Sequence, residues 1–167
     1  MQSSRLRYDD AHMPETADLE LRRENPKSSE RFVGSWTLVS FEHVPPSGEV
    51  LKPFGDSPAG LILYHPDGHM SAQVSAGSRK KLACEDPLEA SPEEAAEAWR
   101  TYFGYWGSFA VDAEKRVVVH RVEGSSFPNW IGTEQVRHFR FDGANRLILE
   151  TQFPSGHSTV IWQRISD

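Results

Sequence analysis

Phe32-Val33-Gly34-Ser35-Trp36-Thr37-Leu38-Val39-Ser40-Phe41 is the first stretch of the chain with sustained β character. Its β-branched and aromatic residues suit a pleated, half-buried surface, and Pro45-Pro46-Ser47-Gly48 then punctuates it as a turn. Its counterpart lies at the far end, where His157 to Ile165 contains Trp162-Gln163-Arg164. Between the two, short β-like runs alternate with tight-turn residues. Gly60 to His65 and His69 to Val74 flank Pro66-Asp67-Gly68, a hairpin signal. Trp106 to Val111 and Arg116 to Glu123 are joined by four polar or small residues. Glu134 to Phe141, Arg146 to Gln152 and His157 to Ile165 are separated by Asp142-Gly143-Ala144-Asn145 and Pro154-Ser155-Gly156. With a short strand at Glu49 to Lys52, the count is eight or nine, mostly in hairpin succession. That order predicts an all-β chain forming a single up-and-down antiparallel β-barrel.

One interlude breaks the pattern. Ser91-Pro92-Glu93-Glu94 reads as an N-cap, a proline at the first helical position and acidic residues in the first turn. It predicts one inserted α-helix running through Trp99 to about Tyr102, with Gly104 ending it. Residues 1–30 are polar, mixed in charge and without apolar periodicity, so they are expected to be a flexible, disordered N-terminal arm on a barrel domain of residues 31–167. Leu19 and Leu21 are the arm's two candidates for docking on the barrel.

Composition narrows the function classes. The chain has 167 residues, enough for one domain with a sizeable core, and a net charge of −6. The acidic balance speaks against a nucleic-acid partner, which needs a basic stripe, and against a polybasic membrane-surface role. No stretch approaches a membrane span and the first residues lack an apolar leader, so a cytoplasmic location is expected. Cys84 is the single cysteine, and Glu85 and Asp86 beside it disfavour a thiolate. His65 and His69 bracket a turn without a third ligand at matching spacing, so no metal site is expected. No phosphate loop, dinucleotide fingerprint or nucleophile elbow is present, and no cofactor is expected.

A Gly-x-Trp at Gly34 to Trp36, opening the first strand, and Arg164, closing the last, resemble the calycin signature best known from lipocalins. A narrower similarity adds to it. Tyr102-Phe103-Gly104-Tyr105, His120-Arg121-Val122-Glu123, Pro128-Asn129-Trp130 with Gly132, and Gln135-Val136-Arg137 look like the lipocalin-like domain of small bacterial and fungal proteins, over roughly residues 31 to 165. The resemblance implies that the first and last strands are neighbours, with the Trp36 indole stacked beneath the Arg164 guanidinium at the barrel's closed end. It also implies a lumen that holds a small molecule, and related barrels include both carriers and cofactor-free cyclases.

Strand periodicity assigns the lumen. If Trp36 points inward, Leu38, Ser40 and Glu42 share its face. Gln135, Arg137, Phe139 and Phe141 alternate with Val136, His138 and Arg140, so an inward Gln135 and Arg137 would sit among apolar walls. A buried arginine needs a partner. Glu123 and Glu42 are candidates, as are loop carbonyls between Pro128 and Gly132 and the oxygen of a ligand. His120 shares a face with Val118 and Val122, either as a satisfied core histidine or as a proton carrier, the latter strengthened if Tyr105 or Tyr64 lies beside it. Asn129 and Trp130 sit where a loop could close the pocket or cap the core. Tyr102, Phe103, Tyr105 and Trp106 either form a lid over the mouth or pack the helix onto the barrel.

Two functions follow. The first is a cofactor-independent cyclase or isomerase acting on a small, largely apolar metabolite in natural-product biosynthesis, with His120, Arg137 and Tyr105 as catalytic candidates. Tyr64, Tyr102, Glu123, Asn129, Trp130, Gln135 and Phe139 would bind the substrate. The alternative is a non-catalytic carrier or sensor of a hydrophobic small molecule. Monomer and homodimer are both compatible with the sequence.

Overall fold

A computed structural model describes residues 29–166. Eight strands form a closed barrel in chain order: β1 Gly34–Val44, β2 Ala59–Tyr64, β3 His69–Ser75, β4 Tyr102–Asp112, β5 Val117–Ser125, β6 Glu134–Asp142, β7 Arg146–Phe153 and β8 Gly156–Arg164. Every neighbouring pair is antiparallel, and β1 pairs with both β2 and β8, which leaves no free edge. The up-and-down barrel read from the sequence is the observed fold. Most of the expected arm, including Leu19 and Leu21, lies outside the described residues.

Local chemistry explains the hairpins. Between β2 and β3 the Asp67 carboxylate accepts from the His69 backbone N–H at 2.9 Å, and Gly68 takes a positive φ of 96°. Nδ1 of His65 and of His69 each lie 2.9 Å from the same Asp67 oxygen, so the two imidazoles flank a carboxylate. The His69 N–H first, and then the imidazoles, hold that carboxylate well below the usual range.

Three expectations need correction. Glu49 to Lys52 is no strand: only Leu51 pairs, in a single bridge to His43, because the prolines on either side leave the segment too little ladder. The helix, α1 at Pro92–Arg100, starts on the expected capping box between Ser91 and Glu94 but ends before Tyr102. The run Tyr102-Phe103-Gly104-Tyr105 is instead the start of β4, where pairing of Ser75 with Tyr102 and Val74 with Phe103 overrides helical continuation. The inner face of β1 also changes partway. A register shift between Leu38 and Ser40 makes Val39 an extra residue, so Phe41, opposite Val160, turns inward in place of Ser40 and Glu42.

The closed end carries the barrel's densest packing. Phe32, fully buried, plugs it with edge-on contacts to Tyr64, Phe139 and Phe141 at 5.3, 4.9 and 5.1 Å. Trp36 Nε1 donates to the Phe32 carbonyl at 2.8 Å. Arg164 lies over the Trp36 ring, its guanidinium carbon 4.0 Å from the centroid, and donates to the carbonyls of Val33 at 2.7 Å and Arg31 at 2.5 Å. Gly34, with φ of 129°, passes close beneath: a Cβ there would come within 2.7 Å of Arg164 Nη1. The sequence signature is thus one physical object, an arginine that clamps the chain entering β1.

Trp36→Ala and Arg164→Ala are each expected to lower stability, the former by about 3–5 kcal/mol. The double variant should lose less than the sum by roughly 0.5–3 kcal/mol, since the two side chains touch. Denaturant melts of the four proteins in the cycle measure this, and strict additivity would show that the stacking contributes nothing.

Candidate functional site

The opposite half of the barrel encloses a cavity of about 380 Å³. Inward residues of the strands make its wall: Ile62 from β2, Ala72 and Val74 from β3, Phe103 and Tyr105 from β4, Leu149 from β7, and Val160 and Trp162 from β8. The bulge at Val39 adds Phe41, which meets Phe54 of the β1–β2 loop edge-on at 5.2 Å. Around the mouth stand Trp99 and Arg100 of α1, together with Trp130 in a short helical turn between β5 and β6. Trp130 stacks on Phe153 (6.2 Å, 13°) and meets Phe103 edge-on at 5.0 Å. The lining is a mostly apolar, aromatic enclosure, as small-molecule sites usually are.

Arg137 is the charge within this wall. It is only 7% exposed, and it lies on β6 opposite Val118. Its guanidinium carbon stands 5.4 Å from the Trp130 centroid and 5.9 Å from that of Phe153, and Nη1 reaches the Val136 carbonyl at 3.3 Å. Neither acidic candidate serves it. Glu42 is on the outer face beyond the β1 bulge, and Glu123 is the extra residue of a second bulge, where Trp106 pairs Gly124 and Gly107 pairs Val122. Glu123 is exposed, on the face opposite to that of His120 and Val122. Among the described residues no carboxylate forms an ion pair with Arg137, and none lines the cavity.

His120, fully buried, sits behind the wall. Its Nδ1 is 2.8 Å from the Tyr105 hydroxyl and its Nε2 2.8 Å from the Tyr64 hydroxyl. Both phenols considered as its neighbours are thus its partners. Burial, followed by the nearby Arg137 charge, holds the imidazole well below the ordinary histidine value. A neutral ring has one N–H and one lone pair, so one phenol accepts from it and the other donates to it. Burial raises both phenols, Tyr64 well above the ordinary value, with Arg137 opposing in each case. The triad is uncharged at neutral pH, and only Tyr105 of the three reaches the cavity lining.

The other candidates scatter. Tyr102 and Trp130 line the cavity, and Tyr102 bonds the Gln73 side chain through its hydroxyl. Gln135 is off the lining and donates to Thr133 Oγ1 at 2.9 Å. Phe139 belongs to the closed-end cluster, and Asn129 is exposed. Trp106 lies outside the barrel, 52% exposed, across Gly124, where a Cβ would strike its indole. Sequence reasoning missed Phe41, Phe54, Trp99, Phe153 and Ser158. Ser158 was within reach of alternation, since it shares a face with Val160 and Trp162; its hydroxyl lies 2.9 Å from His43 Nδ1. Phe41 and Phe54 carried no such signal.

The His120 environment has a pH signature. Its folded value lies below its unfolded one, so below about pH 6.5 the unfolded chain takes up the proton more readily and stability falls. This group should contribute a loss approaching about 1.4 kcal/mol per pH unit as pH drops from 6.5 toward its depressed folded value. His120→Phe should be less stable at pH 7 yet lack that component. Urea melts at pH 7, 6 and 5 test it, and parallel pH dependences in the two proteins would contradict a buried neutral imidazole.

Residues 33–165 match the lipocalin-like domain family. The chain is also similar to the 4'-hydroxy-3'-methoxypropiophenone carrier protein ppsC of Aspergillus oryzae (strain ATCC 42149 / RIB 40), with 40% identity over 108 residues that cover 58% of this chain and 96% of the relative. Among solved structures, a redesigned β-barrel aligns over 84% of this chain and 96% of its own at 9% identity and a TM-score of 0.44. A mutant of the fluorescent protein UnaG aligns over 83% and 99% at 16% identity and a TM-score of 0.39. With the match spanning nearly all of the barrel, this chain belongs to the lipocalin-like domain family.

Proposed function

We propose that this protein is a carrier that holds one small, largely aromatic molecule in the open half of its barrel and releases it unchanged. The observation that carries this reading is the cavity: about 380 Å³, walled by aromatic and aliphatic side chains, with Arg137 as its inner charge. That volume lies toward the lower end of ligand pockets, which run to roughly 300–1,000 Å³, and suits a molecule of one or two rings. The fungal relative is named a carrier of an aryl ketone, a ligand class of that size and polarity. Arg137 anchors the ligand's oxygen, while Phe41, Phe103 and Trp130 cover its ring faces.

A second reading, the cofactor-independent isomerase or cyclase, draws on the Tyr105 hydroxyl at the lining with His120 directly behind it. It asks His120 to cycle through a charged form in a site where burial and Arg137 both oppose that charge. The carrier reading asks nothing of His120 beyond holding Tyr105 and Tyr64 in place.

Aryl ketones such as 4'-hydroxypropiophenone should quench the protein's tryptophan fluorescence saturably, and NMR of the mixture should show the ketone unaltered after prolonged incubation. Time-dependent conversion would replace the carrier by the enzyme, and absence of saturable binding across a panel of aryl ketones would sink the proposed ligand class. Trp130→Ala should weaken binding by roughly tenfold or more, mainly through faster release, because it removes an aromatic anchor at the mouth. Stopped-flow release rates, with a melting curve to establish folding, check this.

A further inference from the structure

We infer that the cavity takes its ligand as an anion: the occupant is an acyl-substituted phenol whose ionised oxygen rests on the Arg137 guanidinium. This rests on the carrier reading above and specifies the chemical form that the carrier selects.

The starting point is the charge imbalance of the lining. Arg137 is 7% exposed and brings a cationic guanidinium into the wall. Its partners among the described residues are the Tyr105 side chain, one backbone carbonyl at 3.3 Å and the faces of Trp130 and Phe153, none of them an anion. These are weak substitutes for a counter-ion in an apolar enclosure, where an uncompensated charge is costly. The titratable or charged groups facing the ligand space are Arg100 from α1, Tyr102 and Tyr105 from β4 and Arg137 from β6, with His120 of β5 and Tyr64 of β2 behind Tyr105. The lining thus holds two guanidinium groups and no carboxylate. Nor does the interior triad supply the missing negative charge, because burial keeps both phenols protonated and the imidazole neutral. The indole N–H of Trp162, another lining residue, also lacks a hydrogen-bond acceptor among the described residues. The enclosure has donors to spare and is short of acceptors.

Charge density separates phenolate from carboxylate. A carboxylate concentrates its charge on two strongly hydrated oxygens, and a mostly aromatic wall returns little of that hydration. A phenol with a para acyl group spreads its negative charge across the ring and onto the ketone oxygen, so its anion is easier to desolvate. One guanidinium and flat aromatic walls match that ion. On binding, the neutral phenol gives its proton to the solvent buffer and the anion pairs with Arg137; no other bond changes. Apparent affinity should therefore rise about tenfold per pH unit up to the free ligand's own pKa and level off above it.

The test uses the full-length protein with 4'-hydroxyacetophenone and its methyl ether, 4'-methoxyacetophenone, which cannot ionise. Absorbance difference spectra are recorded about two pH units below the free phenol's pKa, and calorimetric titrations in buffers of different ionisation heat count the protons released. The expected result is the red-shifted phenolate band on binding, about one proton released per ligand, and an ether that binds at least roughly tenfold more weakly. In Arg137→Met the band should disappear, and the preference for the phenol over its ether should shrink to less than about threefold. Should that variant fail to fold, the wild-type spectrum and proton count decide the matter alone. Binding of both probes with equal affinity and a neutral-phenol spectrum would overturn the ionised form and leave the carrier standing. If neither probe binds, both this inference and its carrier premise fall.

Discussion

The clamp of Arg164 on Trp36 governs the rest of the molecule. It joins the last strand to the first by a cation over an indole, and the same guanidinium holds the Val33 and Arg31 carbonyls. Those carbonyls belong to the chain just before β1, so the clamp also fixes Phe32 as the plug of the barrel floor. A barrel sealed by Phe32 at one end has its cavity toward the other. The end at which the cavity lies thus follows from a contact on the opposite side of the lumen.

Above that floor, polar groups meet two different solutions. Tyr64, His120 and Tyr105 come from three strands and answer one another, and burial keeps all three uncharged. A closed neutral network stiffens a core without demanding a counter-ion. Arg137, two residues beyond the β6 partner of His120, has no such closure. Its described protein contacts are the Tyr105 side chain, one carbonyl and two ring faces, with no carboxylate among them. An arginine without a carboxylate partner leaves this aromatic wall without an internal counter-charge.

A β-bulge decides which side chain of β1 joins that wall. At Val39 the extra residue swaps the parity of β1, bringing Phe41 inside and sending Glu42 out. At Glu123, already outside by alternation with Val122, a second bulge shifts the pairing so that Gly124 lies against the exposed Trp106. The β1 bulge thus takes one acidic side chain, Glu42, off the inner face.

Much of the architecture was legible in the residues because its causes are local. Period-two alternation, glycine at positive φ, prolines and acidic turn residues act within a few positions, so the hairpins, the start of the helix at Ser91 and the inward face of β6 could be read directly. The end signatures were legible for the same reason: Gly34 is needed where the chain passes beneath Arg164. What tertiary structure alone decided depends on pairing between distant segments. A bulge exists only relative to a partner strand, so the fates of Glu42 and Phe41 were invisible to alternation. The end of the helix was set by β3 claiming Tyr102 and Phe103. Phe54, Trp99, Trp130 and Phe153 converge on one mouth from four parts of the chain, and no spacing in the sequence records their meeting.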